Sequence, residues 1–167
     1  VMNLLGPLAN PCAAEYQVIG VHDAALLKPV AQAARMLGVK RVMALRSEDG
    51  MDEISPCAPT QVVEIGEGGK IAEYRIDPKV LGVPEGTLSE LLGGNAEANA
   101  ALANDLLSGS GREGIRQAVA LNAGAGLYVY GAAESLQEGY KKALAALADG
   151  RAAKKLEEVT RLTKELA

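Results

Sequence analysis

The chain has 167 residues, 49% of them hydrophobic and 23% charged, and a net charge of −4. That length and balance suit one globular domain. No apolar run is long enough to cross a bilayer and nothing looks like a cleaved signal, while the negative field and the absence of Phe and Trp argue against a nucleic-acid binder.

The first stretch, VMNLLGPLANP (1–11), is apolar and strand-like with no flank before it, so the expectation is a piece of a longer protein. Asn3, Gly6, Pro7, Asn10 and Pro11 stud it. Proline fixes φ and glycine widens it, so the backbone path is prescribed. It is either a tight turn or a loop bordering a small-molecule pocket. Cys12 and Cys57 form no CxxC pair, and His22 is the single histidine, which leaves no zinc-type cluster. Both cysteines read as free thiols of a reducing, cytoplasmic setting.

YQVIGV (16–21) reads as a buried strand. Asp23 can cap a helix whose face is Leu26, Val30, Ala33 and Leu37, ending at Gly38. Pro29 either kinks that helix or marks the start of its regular part near Lys28. KRVMAL (40–45) is a second strand, and strand–helix–strand implies a parallel, right-handed βαβ unit. TQVVEI (60–65) and KIAEYRI (70–76) flank GEGG, an antiparallel hairpin. A loop covers 77–86. Helices are expected over 95–107, 112–131, 134–148 and 151–166. Leu136, Tyr140, Leu144 and Leu147 line one face of the third, and Leu156, Val159, Leu162 and Leu166 one face of the last.

RSEDGMDEIS (46–55) follows the second strand, where open α/β sheets gather ligands beyond the strands' carboxyl ends. Asp52 and Glu53 are adjacent, so regular backbone would point them apart. Gly50 allows an irregular path on which both can meet one ion. Neighbouring hard oxygens suit Mg²⁺, which takes one or two carboxylates and completes its shell with water and phosphate. The alternative is a solvated acidic loop. LNAGAGLYVYG (121–131) has no G-x-G-x-x-G and no G-K-[ST]. It reads as a closely packed helix, with Asn122 a core amide satisfied by neighbouring backbone. His22 is either a general base or an exposed loop histidine.

Taken together and in this order, MNLLGPLANP, GMDEIS and LNAGAGLYVYG resemble the anthranilate phosphoribosyltransferase family, and PTQVVEI, KIAEYRIDP and LLGGNAEANA fit the same family. The resemblance covers the whole chain. It implies an α/β fold with a central mixed sheet and flanking helices, related to the pyrimidine-nucleoside phosphorylases, and places residues 1–167 as a single fragment, the C-terminal part of the family's large domain. It implies transfer of phosphoribose from phosphoribosyl pyrophosphate to anthranilate in tryptophan biosynthesis, with Mg²⁺ as cofactor and a cytoplasmic homodimer as the full-length state. The family's magnesium-binding Asp-Glu pair falls on Asp52 and Glu53, with Asp49 behind them. The segment lining the anthranilate entry falls on Gly6, Pro7, Asn10 and Pro11, and Asn3 lies in the same stretch. The family's G-T-G-G-D loop, its Lys-His-Gly region and the arginine that contacts anthranilate are absent from these 167 residues. Arg46 stands where many relatives have histidine. The chain therefore carries half a site and is expected to be inactive alone. The alternatives are a non-catalytic binding module of the same fold and a related nucleoside phosphorylase.

Overall fold

Four strands form one mixed sheet in the computed structural model, which describes residues 6–166. They are β1 (Tyr16–Gly20), β2 (Arg41–Ser47), β3 (Thr60–Ile65) and β4 (Ile71–Ile76), side by side in that order. β1 and β2 are parallel, with Val18 opposite Met43, whereas Ser47 pairs antiparallel with Thr60 and Thr60 with Ile76. The α/β class, the parallel unit and the glycine-turned hairpin are as the sequence implies.

The helix between β1 and β2 departs in register. Asp23 caps as expected, accepting from the Ala25 N–H at 2.9 Å. The turn it starts is 3₁₀ (Ala24–Leu26), and α1 (Leu27–Met36) follows it. Pro29 lies in the first turn of α1, where a missing N–H has no intrahelical partner to lose. The extra turn rotates the buried face to Leu27, Val30, Ala31 and Ala34, and Leu37 is left 65% exposed.

β2 is buried on both sides, as a central strand between helical layers must be. Val42 and Ala44 pack with Val30, Ala31 and Ala34 of α1. Met43 and Leu45 pack the other way, against Leu121, Ala125 and Val129. Those three belong to α3 (Glu113–Tyr130), which follows α2 (Ala96–Ser108). β4 is an outer strand with Glu73 and Arg75 exposed, charges that blunt a free edge.

α3 packs along α4 (Leu136–Ala148) through two glycines. A β-carbon on Gly124 would lie 2.5 Å from the Tyr140 nitrogen, and one on Gly139 would lie 2.3 Å from the Gly124 carbonyl oxygen. The small residues of LNAGAG therefore mark a helix seam, as expected. The last helix forms with its expected apolar face, but that face is left uncovered. α5 (Arg151–Glu165) forms, but Leu156, Val159, Leu162 and Leu166 are 43%, 51%, 48% and 87% exposed, and the helix buries no residue. Periodicity places apolar residues on one face but does not supply a partner for it. The strand-like reading of the first stretch is also corrected: residues 6–8 are helical. Asn3 lies outside the described residues.

A polar clamp ties the sheet to α3. Arg41 donates to Glu64 at 2.8 and 2.9 Å and to the Tyr128 carbonyl at 2.9 Å, with its guanidinium 4.0 Å from the Tyr128 ring centre. The Tyr74 hydroxyl donates to the same Glu64 carboxylate at 2.7 Å. Glu64 is 8% exposed, so removing its charge strands Arg41 against protein. Glu64→Gln is expected to lower unfolding stability in urea by about 3 kcal/mol.

Burial and the Glu64 carboxylate push the Tyr74 hydroxyl well above its ordinary value of 10.0. The unfolded chain therefore releases this proton first, so the stabilisation is complete below pH 10.0 and falls as pH rises beyond it. Alkaline denaturation curves are expected to be shallower for Tyr74→Phe than for the unmodified chain. At the glycine seam the obstructing atoms are backbone and cannot swing away, so Gly139→Ala is expected to cost roughly 1–3 kcal/mol by the same urea measurement.

Candidate functional site

The acidic stretch lies in the connection from β2 to β3, beyond the carboxyl ends of the two parallel strands. Its base is a buried polar plug. Ser47, Ser55 and Thr60 are fully buried. The Ser47 N–H donates to the Met51 carbonyl at 2.9 Å, the Ser55 N–H to Thr60 Oγ1 at 3.3 Å and the Cys57 N–H to Ser55 Oγ at 2.9 Å. Asp49 closes the plug, accepting from Ser55 Oγ at 2.6 Å and from the Met51 N–H at 3.3 Å. Partial burial pushes the Asp49 carboxyl up, but the Ser55 and Ser47 hydroxyls and the Met51 N–H outweigh it and hold it below the usual carboxylate value. Gly50 has φ of 100°, the left-handed backbone that glycine was expected to supply here.

Beyond the plug the chain folds back over β1. The Asp52 carbonyl oxygen sits 1.7 Å from where a β-carbon of Gly20 would be. That contact exists only because β1 ends in glycine. One residue further, both backbone polar groups of Ile54 are taken by Asn122 of α3, which accepts from the Ile54 N–H at 2.9 Å and donates to its carbonyl at 3.0 Å. The Ile54 side chain is 1% exposed in the core.

Between these two anchors, Asp52 and Glu53 are exposed. Partial burial, then the neighbouring Asp52 charge and a hydrogen bond shared with it, push the Glu53 carboxyl above its ordinary value. Two carboxylates this close repel unless a proton or a cation sits between them. Glu53 also borders a cavity of about 260 Å³ with Met51, Leu91, Ile115, Val119 and Asn122. No group of three or more His, Cys, Asp and Glu able to hold a metal occurs among the described residues. Two adjacent exposed carboxylates fit a hard divalent cation whose other ligands would be water and phosphate oxygens.

None of residues 6–11 lines the cavity beside Glu53. Gly6, Asn10 and Pro11 are exposed and Pro7 is half-buried, its carbonyl 3.5 Å from the Gln17 amide. Asn10 turns its side-chain oxygen onto the Cys12 N–H at 2.9 Å, so it shapes its own turn. His22 is exposed, and its carbonyl accepts from Arg46 Nε at 2.9 Å. Arg46 thereby links the ends of β2 and β1. Sequence reading did not single out Gly20, although a glycine ending an apolar strand is itself a signal of close backbone approach. It placed Asn122 in the core without its partner, Ile54.

Parallel strands with a prescribed acidic loop at their carboxyl rim define an α/β domain of the class that holds ligands beyond the sheet's edge. Residues 1–153 match the glycosyl transferase family, a/b domain, and the chain belongs to that family. It is 43% identical over 167 residues to an anthranilate phosphoribosyltransferase of Rubrobacter xylanophilus, covering 100% of this chain and 48% of that protein. It is 44% identical over 163 residues to the enzyme of the same name from Clostridium beijerinckii, covering 97% of this chain and 47% of that one. The chain thus spans about half the length of the curated relatives it matches. In three dimensions it resembles the anthranilate phosphoribosyltransferase of Thermus thermophilus with a TM-score of 0.84 at 41% identity, over 93% of this chain and 45% of that one. It resembles the Saccharomyces cerevisiae enzyme, solved in complex with phosphoribosyl pyrophosphate and Mg, with a TM-score of 0.72 at 25% identity, over 84% and 40%. The resemblance drawn from the three motifs is borne out.

Gly20→Ala forces the Asp52 carbonyl off β1. Backbone amide shifts are expected to move at residues 51–54 and around Asn122, with a stability loss of about 2 kcal/mol. Unchanged amide positions in that loop would show that it does not rest on Gly20.

Proposed function

We propose that this chain forms the sheet side of a phosphoribosyl-transfer site. In the longer protein, that site moves phosphoribose from phosphoribosyl pyrophosphate to the amino group of anthranilate. The bond between C1 of the ribose and the diphosphate oxygen breaks. The amine nitrogen bonds to C1 and loses a proton, and pyrophosphate leaves. The observation that carries the reading is the adjacent, exposed Asp52–Glu53 pair on the rim of the parallel strands, in a chain related to enzymes of that name.

Asp52 and Glu53 would hold Mg²⁺. When bound, that ion supplies positive charge against the departing diphosphate. The chain's own residues do the positioning. Asp49 closes the polar plug beneath the pair, and Gly20 lets the loop lie close to β1. Gly6, Pro7, Asn10 and Pro11 would form a wall for the aromatic acceptor, a role supported by their match to the family's GPLANP segment, and Asn3 is a further substrate-binding candidate from the same stretch. A yeast relative solved in complex with 4-fluoroanthranilate supports the acceptor class. Residues 1–167 are one α/β part of a larger domain in a cytoplasmic homodimer, as the family resemblance implies. No helix among the described residues is long and apolar enough to cross a membrane.

Calorimetric titration with phosphoribosyl pyrophosphate is expected to show binding that depends on Mg²⁺. Asp52→Asn and Glu53→Gln should each weaken it at least about 10-fold, the loss that follows even from removing an outer partner of a metal ligand. Binding that both variants leave intact would sink the assignment. The 167-residue chain alone is expected to give no phosphoribosylanthranilate, because the G-T-G-G-D loop and the anthranilate-contacting arginine are not among its residues.

A further inference from the structure

Asn122 sits in the interior of α3, where asparagine is a poor helix former because its side chain competes for backbone hydrogen bonds. Here that competition is directed outward. One amide N–H is anchored to the Ala118 carbonyl a turn earlier, at 2.9 Å. The other reaches the Ile54 carbonyl at 3.0 Å, and the amide oxygen accepts from the Ile54 N–H at 2.9 Å. Both donors are taken, so Asn122 has no N–H left to offer a ligand, although it lines the cavity beside Glu53.

The pair of bonds to a single residue works like one rung of a β-ladder. It stops Ile54 from sliding or turning, because either motion would leave a part-buried N–H or carbonyl unpaired. The Ile54 side chain, buried among Met43, Leu45 and Leu121, holds the same residue from the other side. Glu53 is its immediate neighbour, and the carbonyl of Asp52 is pressed onto Gly20. The backbone that carries both carboxylates is therefore held at each end within three residues. The Asn122 clasp ties that backbone to α3 by hydrogen bonds.

We propose that Asn122 is a positioning residue for the cation site: it sets the aim of the Asp52–Glu53 pair through the backbone of Ile54 and does not touch the ligand. The proposal rests on the metal reading given above. It separates two effects that α3 can have on the site, overall stability and loop aim.

The test is Mn²⁺ titration of the ¹⁵N-labelled chain with phosphoribosyl pyrophosphate present, followed by paramagnetic broadening of backbone amides, with hydrogen exchange of the Ile54 amide measured in parallel. In the unmodified chain, broadening is expected to centre on residues 52–54. Asn122→Ala is expected to lower Mn²⁺ affinity at least about 10-fold and to speed exchange at Ile54. Asn122→Leu keeps the branched side-chain shape and improves helix propensity, and it is expected to show the same loss should the alanine variant fold poorly. Glu64→Gln, in the clamp at the opposite pole of the sheet, is expected to lower the melting temperature without changing Mn²⁺ affinity. Loop-centred broadening that Asn122→Leu leaves unchanged overturns the proposal alone, and so does an equal affinity loss in Glu64→Gln. An unmodified chain with no broadening at the loop overturns the metal reading and this proposal with it.

Discussion

The Asp52 carbonyl occupies the space that a side chain on residue 20 would need. The acidic loop's placement depends on that contact. β1 and β2 are parallel, so their carboxyl ends lie together, and a bare β1 terminus lets the chain leaving β2 turn back over its neighbour. From there Ile54 enters the core and meets Asn122 on α3. α3 is in turn held by the Gly124–Gly139 approach to α4. A chain of contacts thus runs from a helix seam, through one amide, to two exposed carboxylates.

Four carboxylates within six residues look redundant until their partners are known. Glu48 pairs with Arg75 across the hairpin at 2.7 Å. Asp49 turns inward onto Ser55 and the Met51 N–H. Asp52 and Glu53 remain open on the rim. The first two hold the loop, and the second two face solvent. This division follows from backbone direction: Gly50, at φ of 100°, breaks the run between them. Repulsion within the open pair is the cost of keeping two carboxylates side by side, and a bound divalent cation would remove it.

The strongest polar network lies at the other end of the sheet. Arg41 begins β2 and Glu64 is near the end of β3, so their ion pair with Tyr74 and the Tyr128 carbonyl closes the pole opposite the acidic loop. Stability gathered there leaves the carboxyl rim free to expose unpaired charge. α5 illustrates the reverse case: it has a regular apolar stripe but no buried residue, so its packing adds little to the core.

The chain's fold class was legible because burial leaves a period in the sequence. β-branched runs marked β1 to β3, glycines marked the hairpin, and helical spacing marked the later helices to within a residue or two. The register of α1 was not legible, since an Asp23 cap is compatible with a 3₁₀ or an α turn and only packing on β2 chooses between them. The three ordered motifs were enough to indicate the family, and the side-by-side carboxylates were visible as residue types. Which of the four acids faces solvent, that Gly20 underlies Asp52, and that Asn122 serves Ile54 were decided by the tertiary structure alone. These are contacts between residues up to 68 positions apart, and a local pattern holds no record of distance across the sheet.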